Sequence, residues 1–341
     1  MSSGKPKILL IGEVEHAHRE WEALSNIADI VETSASNREE FIRDCRKGNL
    51  DGVVAAYRTL ASVSITGNFD QELIDTLPKS WIFLCHGGAG YDQINIEACT
   101  ARQPPLYVSN TPNVTDDATA DTAIFLLIGT LRNFYPAITS LRRGEWRGNP
   151  LPNLGHDPQK KVLGILGMGS IGINIAKKAR ALGMTIIYHS RRKLAEDKVD
   201  CAEYVSFEDL LRRSDVLSLN LPLNPKTHHI IATREFKLMK PSAVVINTAR
   251  GPVIDEAALV QALNQGLIAG AGLDVYENEP KIHNGLLESN KVILLPHMGT
   301  WTVETQYEME ICTISNISSA LKRGNLISVV PEQAALCQSG I

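Results

Sequence analysis

Three residues in the second half of the chain have the types that acid–base chemistry on a carboxylate-bearing carbonyl compound requires. They are Arg250 in Thr248-Ala249-Arg250-Gly251, Glu279 in Tyr276-Glu-Asn-Glu-Pro280, and His297 in Pro296-His297-Met298-Gly299. An arginine pairs bidentately with a carboxylate and polarises a neighbouring carbonyl. A histidine can give a proton to that oxygen, and a carboxylate against the imidazole fixes its tautomer and raises its basicity. Each has a plain alternative: a strand-end salt bridge for Arg250, a surface carboxylate for Glu279, a turn histidine for His297. All three, however, lie just past an apolar run, and the carboxyl ends of parallel strands are gathered at one sheet edge.

A second group on that edge is indicated by Val162 to Gly172, VLGILGMGSIG. An apolar run feeds into Gly167-x-Gly169-x-x-Gly172, with Met168, Ser170 and Ile171 between the glycines. A positive φ suits Gly167, a dinucleotide pyrophosphate can approach the backbone at Gly169, and Gly172 lets a helix pack close to the strand. The helix N-terminus then faces the phosphates. Ile171, Ile175, Ala176 and Ala179 recur at helical spacing, and a second strand, Thr185 to His189, completes a βαβ unit of the required length. A glycine-rich turn with no ligand is the alternative. With a hydride donor bound there, Arg250, Glu279 and His297 together fit the reduction of a 2-oxo acid.

An NAD-binding unit commonly ends its second strand in an acidic residue that holds the adenosine ribose. Here that place has His189, followed by Ser190, Arg191, Arg192 and Lys193. Such a group can clamp a 2′-phosphate, so NADPH is the expected cofactor, with NADH possible. A solvated basic turn indifferent to the cofactor is the alternative. Expected cofactor contacts also take in Pro222, Thr248 and Ala249, at the ends of two further strands.

The elements that must position these residues read as two α/β blocks. Strands are expected at 7–11, 51–56, 81–85 and 106–108, and later at 162–166, 185–189, 202–205, 216–221, 243–247, 269–275 and 291–295, with helices between them. Two loops of the first block are candidate substrate contacts. Tyr57-Arg58-Thr59 comes after one strand, and His86 to Asp92, with Gly87, Gly88 and Ala89, after another; its glycine-rich backbone can present N–H groups to an anion. A strand-to-helix turn capped by Asp92, and a surface or interdomain ion pair for Arg58, are the alternatives. The run after Thr115-Asp116-Asp117 is apolar nearly all round, so a buried connecting helix to about Asn133 is expected. A final helix over 304–322 is long enough to return to the first block.

The chain has 341 residues, too many for one ordinary core. A net charge of -4 gives no reason to expect nucleic acid or an anionic membrane as partner. The longest apolar stretch, Ala123 to Leu131, is about half a bilayer span, and MSSGKPK has no apolar signal core. A cytoplasmic protein is expected. The six cysteines have no metal-ligand spacing and read as mostly packed free thiols, and no metal is expected.

Taken in order, GILGMGSIG, NTARGPVIDE, GLDVYENEP and LPHMGT resemble the D-isomer-specific 2-hydroxyacid dehydrogenase family, and HGGAGYDQI resembles that family's substrate-domain loop. The likeness covers essentially the whole chain. ATADTAIFLLIGTLRNF, YHSRR, PLNPKTHHI and LPHMGTWTVET look closest to fungal glyoxylate/hydroxypyruvate reductases. The resemblance implies two Rossmann-like or flavodoxin-like domains with parallel sheets and an active-site cleft between them: 1–112 with 305–341 for substrate, 113–304 for the dinucleotide. It implies Arg250 as the substrate-orienting arginine, Glu279 paired to His297 as acid/base, Asp274 on the nicotinamide carboxamide, and the Gly88 loop on the substrate carboxylate. It also implies a homodimer through the cofactor domains. Reduction of bulkier 2-oxo acids, of phenylpyruvate or mandelate type, and a nucleotide-sensing corepressor-like protein are the other readings.

Overall fold

The computed structural model describes residues 4–199 and 201–337. It consists of two compact units, Met1–Thr115 with Thr302–Ile341, and Asp116–Trp301.

The first unit holds β1 (Lys7–Ile11), β2 (Asp29–Glu32), β3 (Val53–Thr59), β4 (Phe83–Gly87) and β5 (Tyr107–Ser109). They form one parallel sheet in the order β2-β1-β3-β4-β5. Its inner strands are apolar on both faces because both faces are covered. Leu9 and Ile11 join one core with Phe41, Phe69 and Trp81, while Ile8 and Leu10 join the other with Trp21 and Tyr57. The edge strand β2 (DIVE) is half exposed and lacks a long apolar run, which is why the sequence pattern does not show it. The helix Val303–Arg323 does return here: Ile314, Ile317 and Ala320 pack with Tyr57 and Cys85. Its buried Glu310 accepts the N–H groups of Glu15, His16 and Ala17 at 2.8, 2.9 and 2.7 Å.

The second unit holds β6 (Val162–Leu166), β7 (Thr185–His189), β8 (Glu203–Tyr204), β9 (Val216–Leu219), β10 (Val244–Asn247), β11 (Gly270–Leu273) and β12 (Val292–Leu294). They form a parallel sheet in the order β12-β11-β10-β9-β6-β7-β8. The order reverses between β6 and β9, and ligands of doubly wound sheets bind at such a switch point. The expected glycine-turn strand β6 ends at this place.

The helix Asp116–Leu131 is not buried all round. Ala120, Ala123, Leu126, Leu127 and Leu131 are buried, whereas Phe125 is 55% exposed. After it, the helix Phe134–Arg142 and the segment beyond leave Ile138, Leu141, Trp146, Leu151 and Leu154 exposed. No single helix among the described residues is long and apolar enough to cross a membrane. Cys45, Cys85 and Cys99 are buried free thiols and Cys201 is exposed.

Candidate active site

The glycine turn has the stereochemistry its spacing implies. Gly167 has φ +96°, and a Cβ there would come within 2.5 Å of the Asn220 carbonyl oxygen at the end of β9. A Cβ at Gly172 would stand 2.5 Å from the Gly167 oxygen, so the close crossing of helix Ser170–Ala181 over the turn needs glycine at both positions. Gly169, the N-cap, has no side-chain cap, and a Cβ there would meet nothing within 4 Å. The helix N-terminus therefore opens onto space an anion could take. Buried Met168 donates its N–H to Ser190 Oγ at 2.8 Å, so Ser190 braces the turn from β7.

His189 lies beside Leu166 in the sheet register, and its carbonyl accepts the Gly167 N–H at 2.9 Å. Its Nδ1 is 2.9 Å from the Val205 carbonyl oxygen, which can only accept, so Nδ1 carries the proton. The ring stacks on Tyr204 with centroids 5.7 Å apart. Arg191 and Arg192 come after it on the exposed surface, as does Pro222 after β9.

On the other side of the switch point, fully buried Asn247 ends β10. Its Oδ1 accepts the Ala249 N–H at 3.0 Å and its Nδ2 donates to the Arg250 carbonyl at 2.9 Å, holding Thr248-Ala249-Arg250 in one shape. Thr248 Oγ1 and Asn220 Oδ1 are buried polar atoms at these strand ends with no partner among the described residues. Such orphans mark where a polar ligand group would be satisfied. The open Gly169, the uncapped helix and these two atoms fit a dinucleotide.

Asp274 directly follows β11 and is 1% exposed. Its carboxylate accepts the Met298 and Gly299 N–H groups at 2.6 and 2.8 Å, and its carbonyl accepts the His297 N–H at 2.8 Å. Asp274 thus fixes the turn that presents His297, which has φ +56°. Burial raises the Asp274 carboxyl above its ordinary value against the pull of those amides. Glu279 Oε2 lies 2.8 Å from His297 Nδ1, and Oε1 accepts the Tyr276 N–H at 2.9 Å. Burial opposes ionisation of Glu279, but the hydrogen bonds from His297 and Tyr276 and the charges of His297 and Arg250 outweigh it and hold the carboxyl below the usual range. An ionised Glu279 accepts only, so His297 carries its proton on Nδ1 and offers Nε2 for proton exchange. Arg250, Glu279 and His297 are therefore one electrostatic group.

Arg58 is not in a loop. β3 runs three residues further than its apolar run suggests, and Arg58 is 0% exposed within it, beside His86 in β4. Nη1 is 3.0 Å from His86 Nδ1, Nη2 donates to Gln93 Oε1 at 2.7 Å, and the guanidinium lies over Phe69. Burial lowers its pKa to about 10. The surface position is thereby excluded: Arg58 is an internal brace. Because arginine only donates, His86 Nδ1 accepts, and Nε2–H donates to the Gly90 carbonyl at 3.0 Å. Gly87 closes β4, and the loop beyond is pinned by Thr111 N–H to the Gly88 oxygen and Asn110 Nδ2 to the Ala89 oxygen. A Cβ at Gly88 would stand 2.8 Å from His86 Nε2, so glycine is required there. Asn95, not Asp92, caps the next helix, accepting the Ala98 N–H at 3.0 Å.

Sequence reasoning does not single out Asn247, His86 or Gln93. Asn247 stands inside the NTARG motif, and the turn-forming habit of asparagine is the available signal. The partners of Arg58 are 28 and 35 residues distant, and no local pattern joins them.

Residues 124–299 match the model of the D-isomer specific 2-hydroxyacid dehydrogenase, NAD binding domain. The chain is 52% identical over 328 residues to 4-methyl-2-oxopentanoate reductase A of Aspergillus oryzae, covering 96% of this chain and 98% of that protein. Its structure is similar to the crystal structure of a glyoxylate reductase from Paecilomyes thermophila (TM-score 0.93, 52% identity, 96% and 99% of the two chains). It is also similar to an NADPH-dependent glyoxylate/hydroxypyruvate reductase from Sinorhizobium meliloti in complex with NADP and malonate (TM-score 0.84, 31% identity, 96% and 98%). The order of motifs, the two parallel sheets and these likenesses agree, and the chain belongs to the D-isomer-specific 2-hydroxyacid dehydrogenase family of oxidoreductases.

Proposed function

We propose that the protein reduces a small 2-oxo acid with NADPH, giving the D-2-hydroxy acid where a stereocentre forms, with glyoxylate and hydroxypyruvate as favoured substrates. The observation that carries this reading is the His297–Glu279 pair beside Arg250 on the edge that also bears the glycine turn. The bound nicotinamide supplies the hydride. Gly167 to Gly172, with Met168, Ser170 and Ile171, would hold the pyrophosphate, and Pro222, Thr248, Ala249 and Asp274 would line the nicotinamide end. Arg250 binds the substrate carboxylate and polarises the ketone, and protonated His297 gives its Nε2 proton to the oxygen while Glu279 keeps the imidazolium stable. The amides of Gly87, Gly88 and Ala89 would receive the substrate carboxylate, and Arg58 acts by holding His86 and so that loop.

His189, Ser190, Arg191 and Arg192 would take the 2′-phosphate. No acidic residue stands at the end of β7 to repel it, and the similar Sinorhizobium enzyme holds NADP. The exposed apolar side chains of the helix Phe134–Arg142, with Phe125, Trp146, Leu151 and Leu154, support a homodimer through the cofactor-binding units. The Aspergillus relative, named for a branched 2-oxo acid, favours a second reading in which the pocket takes longer aliphatic chains. Assaying glyoxylate, hydroxypyruvate, 4-methyl-2-oxopentanoate and phenylpyruvate with NADPH and NADH tests both. Turnover with none of them by folded, cofactor-binding protein rejects the reading.

A further inference from the structure

Away from the acid–base group, the second unit gathers a different set of side chains. His228 and His229 lie in the loop after β9 and Glu277 in the segment after β11, and one ligand atom of each lies within 4.8 Å of the other two. His229 Nε2 is 2.7 Å from Glu277 Oε1, and the two imidazole centroids are 3.9 Å apart. We infer that His228, His229 and Glu277 form a site for one borderline transition-metal ion, Zn2+ foremost, that ties the loop after β9 to the segment carrying Glu279.

The donor set is two imidazoles and one carboxylate, which suits Zn2+, Ni2+ or Cu2+ and not the all-oxygen preference of Mg2+ or Ca2+. Two of the ligands stand on backbone that is fixed from both sides. His229 has φ +51°, a sparsely occupied region, and is kept there by its N–H to the Pro252 carbonyl at 2.8 Å. Ile231 N–H to Val253 at 3.2 Å continues the same register. Glu277 donates its N–H to Glu256 Oε1 at 2.5 Å, and its Oε2 accepts the Glu256 N–H at 3.3 Å. Gly251 packs so closely on this segment that a Cβ would overlap the Tyr276 carbonyl and the Glu277 nitrogen.

The third ligand, His228, is exposed, with its ring tilted against that of His229. Metal–ligand bonds of about 2.0–2.1 Å put the donors of a tetrahedron roughly 3.4 Å apart. Turning the exposed His228 ring brings its donor to that spacing, and the His229 Nε2–Glu277 Oε1 pair opens from 2.7 Å to admit the ion. The ion takes the place of the proton between His229 Nε2 and Glu277 Oε1, the neutral imidazole then carries its proton on Nδ1, and water completes the fourth position.

The test uses the full chain freed of metal with a chelator and then given ZnCl2 or CoCl2. One Zn2+ per chain should raise Tm by several degrees, since an ion bound only by the folded state stabilises it in proportion to the logarithm of its concentration. Co2+ should give the visible ligand-field absorption of a four-coordinate site. Both effects should vanish in His228→Ala, with the metal-free Tm unchanged because the side chain is exposed, and both should persist in Cys201→Ser, which removes the one exposed thiol among the described residues. A Zn2+ shift that survives His228→Ala or disappears in Cys201→Ser overturns the assignment, as does the absence of one-to-one binding by the wild-type chain.

Discussion

His297 and Glu279 meet through Nδ1 and Oε2 at 2.8 Å, while the carboxylate's other oxygen is held by the Tyr276 amide at 2.9 Å. One carboxylate is thus anchored to the backbone on one side and to an imidazole on the other. The imidazole orientation depends on an anchor only three residues from Tyr276. Glu279 therefore acts on charge and geometry together.

The pH dependence comes from that pairing. The folded-state pKa of Glu279 lies below its unfolded value. The pair therefore contributes stability above the ordinary carboxylate pKa of about 4.3, and this is lost as pH falls through the depressed folded value. Glu279→Gln should flatten the acid side of the Tm-against-pH curve. Without the partner that orients the imidazole, kcat for reduction should also fall across its whole pH profile. A variant with wild-type profiles in both would show the carboxylate to be inert.

Asn247→Ala should loosen the turn that presents Arg250, since one buried amide bonds both sides of it. Stability should fall by about 1–3 kcal/mol for the groups left unpaired. KM for the 2-oxo acid should rise and kcat fall together, as expected when an interaction made in the transition state is lost. Loss of Tm with unchanged kcat/KM would limit Asn247 to a structural part.

In the first unit, Arg58→Ala should lower stability by about 1–3 kcal/mol, because His86 Nδ1 and Gln93 Oε1 lose their buried donor. The loop from Gly87 to Gly90 is then less well held, so KM for the 2-oxo acid should rise while the Kd for NADPH stays the same. Equal weakening of NADPH binding would contradict the separation of roles.

Arg191→Ala should weaken NADPH by about tenfold or more, the worth of one charge-assisted hydrogen bond, and leave NADH nearly unchanged. Binding titrations with both nucleotides decide this. An equal effect on each would mean that the cations after His189 do not read the 2′-phosphate.

How much of the fold and site is legible in the sequence depends on how local each relationship is. The glycine turn, His189 and the strand ends bearing Arg250 and His297 are set by short apolar runs and turn residues, and β6, β7 and β10 lie where those runs lie. Arg58 is misplaced by the pattern because a charged residue after an apolar run looks like the start of a loop. Its burial rests on His86 and Gln93, which only the parallel pairing of β3 with β4 brings near. The helix Asp116–Leu131 misleads in the opposite sense: apolar composition does not reveal that Phe125 is exposed. Similarly, the Ser190 hydroxyl that braces Met168, 22 residues earlier, belongs to a contact no spacing rule encodes.

We propose that His297, oriented by Glu279, is the proton donor in nicotinamide-dependent reduction of a 2-oxo acid. The most direct measurement is kcat for NADPH oxidation with glyoxylate by the wild-type protein and by His297→Ala, with NADPH binding followed by fluorescence in both. The wild type should turn over, and the variant should lose about a hundredfold or more of kcat with cofactor affinity retained. Near-normal kcat in the variant would contradict the assignment.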